Sequence, residues 1–217
     1  MPSVWQSSAG EARARSLVWG VLVLVLAGAA LAGGWSIVSN TGRTPPAVFG
    51  QVPAFSLVER SGKPLSSRDL LGRPWVADFI FTRCQGICPV LSGRMADLLR
   101  RLEEQGITDT VAVSFSVDPE HDDPATLRTY AERFGADPDR WLFLTGDLPV
   151  IEDLVRNSFR LSLAALPEEE RRTSPEPITH SDRFVLVDAE LRIRGYYHGS
   201  DDEDLAQLER DLAVISQ

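Results

Sequence analysis

The order of apolar segments in this 217-residue chain predicts an α/β fold, with a mixed β-sheet between helices. Three observations carry that prediction. From residue 75 onward, apolar runs of strand length alternate with amphipathic stretches of helix length. Two adjacent strand-like runs and one more amphipathic helix then close the chain. Finally, both cysteines stand between the first long apolar run and the first amphipathic stretch, at the C-terminal end of a strand, where sites in such sheets gather.

The elements follow in order. Phe55-Ser56-Leu57-Val58 reads as a strand, Ser61-Gly62-Lys63 as a turn and Leu65 as the start of a short return, giving an N-terminal hairpin. Ser66 to Leu71 fits one helical turn, stopped by Gly72 and Pro74. Trp75 to Phe81 reads as a buried central strand interrupted by one acid, Asp78. Leu91, Met95, Leu98, Leu99 and Leu102 recur at helical spacing, with Arg94, Asp97, Arg100 and Glu103 opposite. Val111 to Val117 is a second buried strand. Asp123 caps a helix with Pro124 at its first position, Leu127, Tyr130, Ala131 and Phe134 inward, and Gly135 at its end. Trp141 to Leu144 is a third strand, and Asp147 opens a helix through Ile151, Leu154 and Val155. Residues 164 to 179, with three consecutive glutamates, three prolines and paired arginines, read as an exposed loop. Phe184 to Val187 and Arg192 to Tyr197 form a hairpin around Asp188-Ala189-Glu190. Ser200 with Glu203 reads as a capping box for the last helix, carried by Leu205, Leu208, Leu212 and Ile215. Hairpin, then β-α-β-α-β-α, then β-β-α, with a dithiol at the end of the first central strand, is a thioredoxin-like arrangement.

Composition bounds the setting. A net charge of −9, with no basic stripe after Arg43, argues against a nucleic-acid partner. Arg13 and Arg15 precede an uncharged apolar run, Leu17 to Val38, of the roughly 20 residues that span a bilayer. Basic residues on that side leave residues 1–16 in the cytoplasm, 17–38 as a single-pass anchor and the domain on the extracytoplasmic (periplasmic) side of the cell membrane. The rival reading of 17–38 is a signal peptide, with Ala30-Leu31-Ala32 as a small-residue cleavage site. Both readings export the domain to a space where disulfides persist. Asn40, Gly42, Pro45, Pro46 and Gly50 mark 39–50 as a linker, which leaves 51–217 as the folded domain.

The chemistry centres on Thr82-Arg83-Cys84-Gln85-Gly86-Ile87-Cys88-Pro89. A strand running into a turn and then a helix puts both thiols near a helix N-terminus, where free N–H groups favour thiolate. Residues four apart on a helix are about 6 Å apart along its axis, within the reach of a disulfide. Cys84 and Cys88 can therefore close as a disulfide or open as two thiolates facing one space. Thiol–disulfide exchange and soft-metal binding both remain open at this point. A purely structural bridge is disfavoured, because so small a loop removes little chain entropy.

Of the three histidines, His180 precedes the strand Phe184 to Val187, and in a thioredoxin-like layout that loop lies beside the cysteine turn. Its imidazole can complete a three-ligand set with both thiolates, a donor set that suits copper or zinc and favours Cu(I). The alternative is an ordinary, hydrogen-bonded loop histidine. Asp78 is either a carboxylate acting on the thiols or the metal from behind, or an edge-facing acid paired with an arginine. Asp118 either stands at the sheet's end near the metal or makes the turn of Asp118-Pro119-Glu120. His121, among Glu120, Asp122 and Asp123, reads as part of a solvated acidic loop, and His198 as an exposed strand end.

Thr82 to Pro89, Ser116-Val117-Asp118-Pro119-Glu120, Leu144-Thr145-Gly146 and His180-Ser181, taken in order, resemble the landmarks of the Sco/SenC copper-chaperone family over roughly residues 50 to 215. The resemblance implies a membrane-anchored copper metallochaperone of thioredoxin fold that holds copper, as Cu(I) and also Cu(II), through Cys84, Cys88 and His180. It also implies a client, the cytochrome c oxidase subunit carrying the CuA site, served by copper delivery or by reduction of its cysteines. On the first reading the chain is not an enzyme; on the second it is a thiol–disulfide oxidoreductase using the Cys84–Cys88 pair. Gln85-Gly86 departs from the Pro-Asp pair usual after the first cysteine, and Asp78 from an apolar residue.

Overall fold

The computed structural model describes residues 44–165 and 178–216. In chain order the strands are β1 (Gly50–Gln51), β2 (Ser56–Glu59), β3 (Pro64–Ser66), β4 (Trp75–Ile80), β5 (Val111–Ser116), β6 (Trp141–Thr145), β7 (Leu163–Ala165), β8 (Ile178–His180), β9 (Arg183–Val187) and β10 (Arg192–His198). The helices are α1 (Ile87–Glu104), α2 (Pro124–Arg133), α3 (Leu148–Asp153), which runs on into a π-turn at Leu154–Ser158, and α4 (Asp202–Ile215). One sheet runs β1-β10-β9-β4-β5-β6-β2-β3, and β7 pairs with β8 in a separate ribbon. β4, β5 and β6 are parallel, and β9 joins β4 antiparallel. The expected mixed sheet is therefore present, with the N-terminal hairpin β2–β3 on its β6 edge.

β4 and β5 are buried along their whole length, and side-chain alternation sorts them onto two layers. Trp75 and Phe79 face an aromatic cluster in which Phe79 stacks on Phe115 at 5.6 Å and meets Phe159 at 5.2 Å. The π-turn delivers Phe159 to this cluster, because its N–H bonds back to Leu154 O at 2.8 Å. The opposite layer holds Asp78 and Ser114, covered by α1 and α2; there Ser92 of α1 bonds Tyr130 of α2 at 2.9 Å, and Trp141 Nε1 donates to Ser114 Oγ at 2.8 Å. α1 buries Leu91, Met95, Leu98 and Leu102, the stripe its sequence predicts. The ion pairs Arg94–Asp202 and Arg101–Glu209 tie it to α4.

Asp123 caps α2 by accepting from Thr126 N at 2.7 Å, with Pro124 following, as expected. The cap of α4 differs from the expectation. Asp201, not Ser200, accepts the first N–H groups, from Glu203 and Asp204, while Ser200 Oγ turns away to donate to Asp182 at 3.1 Å. The loop expected from 164 to 179 is likewise shorter at both ends: Leu163, Ala164 and Ala165 pair with His180, Thr179 and Ile178. That ladder satisfies backbone groups that a loop would leave to water.

Among the described residues no helix is long and apolar enough to cross a membrane. The segments 1–16 and 17–38 and the start of the 39–50 linker lie outside the described residues. The end of that linker meets the sheet: Phe49 N donates to Ile193 O at 2.8 Å, and β1 pairs with β10.

Candidate functional site

β4 ends at Ile80, and a tight turn over residues 82–86 leads into α1 at Ile87. Within that turn Cys84 N donates to Phe81 O at 3.1 Å, which folds the chain back on the strand end. Cys88 lies in the first turn of α1, and its N–H, which has no partner within the helix, donates to Cys84 Sγ at 3.4 Å. Gly86 caps the helix without any side-chain hydrogen bond, so the sulfur of Cys84 occupies the place a capping oxygen would take. The two cysteines are thiols not joined as a disulfide in this structure, Cys88 wholly buried and Cys84 nearly so.

The two thiols are not equivalent, which corrects the expectation that both gain from the helix N-terminus. Burial pushes the Cys88 thiol well up, and the Cys84 sulfur and the Asp78 carboxylate add to the push, against one favourable backbone hydrogen bond at Phe81. The N–H that favours a thiolate is aimed at Cys84. Cys84 is thus the sulfur that receives the helix N–H, and Cys88 the one held as a thiol.

Asp78 is fully buried in β4, which is flanked by β5 and β9. An edge-facing role is therefore excluded. Its charge acts on Cys88 and on the Tyr130 phenol, both of which it raises. Burial is the larger cause for Tyr130, which stays protonated against Ser92. Behind the cysteines, then, is the buried Asp78 carboxylate, which disfavours additional negative charge on Cys88.

Asp118 follows β5 and makes the turn considered for it, while its side chain reaches the cysteine turn. Its carbonyl accepts from His121 N and Asp122 N, each at 3.0 Å, making a turn. Its carboxylate holds Arg83, from the cysteine turn, at 2.7 Å through Nη2 and 3.1 Å through Nε, and meets His121 Nδ1 at 3.0 Å. His121 is half-exposed, so the solvated reading holds for its ring, although not for its neighbour. Asp122 is fully buried, accepting from Thr82 N at 3.1 Å, from Ser116 Oγ at 2.6 Å and from Thr82 Oγ1. Burial raises its carboxyl above the usual range, and the bonds from Ser116 and Thr82 offset part of that rise. Sequence reasoning left Asp122 in the solvated loop. The signal available was Thr82 at a strand end, a backbone donor in need of a fixed acceptor.

His180 ends β8, its backbone paired opposite Leu163. Its side chain lies outside the described residues, as do residues 166–177. Asp182, two residues on, meets His198 Nδ1 at 3.0 Å; burial would raise this carboxyl, but the bonds from His198 and Ser200 outweigh it and leave it lowered. His198 is a strand end, as expected, with that carboxylate as its partner.

A mixed sheet with a Cys-x3-Cys dithiol at the strand-to-helix turn defines a dithiol protein of thioredoxin-like fold. The family follows from comparison: the SCO1/SenC family profile matches residues 45–213, and the chain belongs to that family. It is similar to the SCO1 protein homolog of Bacillus subtilis, 35% identical over 167 residues that cover 76% of this chain and 83% of that one. Among solved structures it is similar to BsSco, described as a member of the Sco family of cytochrome c oxidase assembly proteins in which a disulfide switch was identified; the TM-score is 0.70 at 32% identity, over 81% of this chain and 99% of that one. It is also similar to Arabidopsis thaliana ScoI with copper bound, with TM-score 0.65 at 27% identity over 76% of this chain and 99% of that one.

Proposed function

We propose that this chain carries copper, bound by Cys84, Cys88 and His180, and serves the assembly of the CuA centre of cytochrome c oxidase. In this reading residues 17–38 anchor it in the cell membrane with the domain on the extracytoplasmic side. The observation that carries the proposal is the cysteine turn, where two sulfurs meet at the first turn of one helix, joined by the Cys88 N–H to Cys84 Sγ bond. Two buried thiols in one turn are a soft donor pair that suits Cu(I), and an imidazole as third ligand would leave the shell open to an incoming client ligand. The copper-bound relative from Arabidopsis thaliana supports the same reading. The ring of Arg83, Asp118, Asp122 and Thr82 would hold the turn in shape while copper enters or leaves.

A second reading draws on the inequality of the two thiols. The Cys84 thiolate would attack a client disulfide, and Cys88, losing its proton as it reacts, would displace the client from the mixed disulfide. The two reduced client cysteines leave, and the Cys84–Cys88 disulfide remains. The disulfide switch described for BsSco supports this chemistry as a companion of the first.

Titration of the reduced full-length chain with Cu(I) against a competing chelator separates the readings. His180→Ala is expected to weaken copper binding beyond the roughly 10–100-fold that loss of an outer-sphere partner costs, and to leave disulfide exchange intact. Unchanged copper affinity in this variant would overturn the three-ligand site.

A further inference from the structure

A cavity of about 470 Å³, with neither cysteine in its lining, opens between the segment after the π-turn, the start of β9 and strand β10. Arg160 and Arg183 converge on it, with Ser162 and Ser181 beside them and Phe49 and Tyr196 as an aromatic wall. The chain as a whole is acidic, and Arg83, Arg101 and Arg194 are each paired with a carboxylate. Among the described residues, neither Arg160 nor Arg183 has a carboxylate within ion-pair distance. Arg183 is held on the wall by the bond from its Nη1 to Tyr196 O at 3.4 Å. The Phe49 ring stands edge-on to Tyr196, with centroids 5.8 Å apart, and is half-exposed despite its size.

Arg160 supplies a second, independent observation. It follows the π-turn with φ at 53°, in the left-handed region, where a chain leaving a helix normally places glycine or asparagine. An arginine is strained there, and strain of this kind is kept where the side chain has a use. The guanidinium acts on the neighbouring Tyr196 phenol, which burial nevertheless pushes up, so the phenol remains a donor at neutral pH.

Two guanidinium forks, two hydroxyls and a phenol offer many donors and two positive charges. A carboxylate has only two oxygens to accept them, whereas a phosphoryl group has three and a charge that matches. The cavity is also far larger than a bare phosphate, and its aromatic wall asks for an apolar body. We propose that this cavity binds an organic phosphate, with Arg160 and Arg183 on the phosphoryl group and Phe49 and Tyr196 against the organic body. A soluble monoester and the monoester headgroup of phosphatidic acid share this chemistry.

The test uses the full-length chain in nonionic detergent, titrated calorimetrically with phenyl phosphate. A second arm compares micelles doped with phosphatidic acid against micelles doped with phosphatidylcholine. The variants are Arg160→Gly, which relieves the left-handed residue and is expected to melt no lower than the wild type, and Arg183→Gln. Binding in at least one arm, weakened tenfold or more in both variants, is the expected result. Response to phenyl phosphate alone identifies a soluble ester as the source, and response to phosphatidic acid alone identifies a lipid. No binding in either arm, or binding in Arg160→Gly equal to that of the wild type, overturns the proposal.

Discussion

Replacing Asp122 by alanine tests what holds the cysteine turn in place. The carboxylate collects the Thr82 N–H, the Thr82 hydroxyl and the Ser116 hydroxyl; Asp122 and Ser116 are fully buried and Thr82 partly so. Truncation orphans the Thr82 N–H, which cannot rotate to another partner, and a buried unsatisfied donor costs about 1–3 kcal/mol. The two hydroxyls can turn elsewhere, so each loses only the net worth of its bond, about 1 kcal/mol or less. The total is about 3 kcal/mol, which for a domain of this size lowers Tm by roughly 6–12 °C. Calorimetry of the reduced protein at neutral pH measures this directly. Asp122→Asn keeps one acceptor and should lose less than half as much. Its penalty also has a pH signature. Because the folded carboxyl is raised above its ordinary value of 3.8, the wild type loses stability as pH climbs from that value through the raised one. The gap between wild type and Asp122→Asn should therefore narrow as pH rises. A Tm drop of only about 2 °C for Asp122→Ala, or a gap that widens with pH, would refute the role assigned to this residue.

Two further outcomes follow from the same structure. Asp188 accepts from Arg192 N and Arg192 Nε, each at 2.8 Å, and also binds Arg194; burial would raise its carboxyl, but these bonds win and hold it below 3.8. Its stabilisation is present above that value and is lost as pH falls through the lowered one, so the deficit of Asp188→Asn, followed by thermal melts, should shrink on acidification below about pH 4 and stay constant above pH 6. Brief alkylation of the reduced protein, mapped by mass spectrometry, should label Cys84 well before Cys88, since the helix N–H favours the first thiolate and burial suppresses the second. Equal labelling rates would contradict the inequality of the two sulfurs.

What the sequence discloses about this domain is whatever a few neighbouring residues decide among themselves. Asp123-Pro124 is a helix start on local grounds, the 91-95-98-102 spacing is a buried stripe on local grounds, and both are found. Side-by-side residues with opposite fates are the cases that spacing cannot resolve. Asp123 is an exposed cap while Asp122 is fully buried, and the difference is made by Thr82, 40 residues away, whose strand end needs an acceptor. Ser200 and Asp201 are both able to cap α4, and the choice is made by Asp182, which draws the serine away from 18 residues distant. Strands as short as β7 and β8 have too few residues to show a period, so they read as loop. The cysteines join both kinds of information. Their spacing and their place at a strand end are local and legible, and those features suffice to point to dithiol chemistry. The chemistry of each sulfur is set by what the fold aims at it: burial and the Asp78 carboxylate at Cys88, and the N–H of Cys88 at Cys84. A change of Asp78 therefore reaches the reactivity of the pair without altering the motif, and two chains sharing Cys-x3-Cys can differ in what their thiols do.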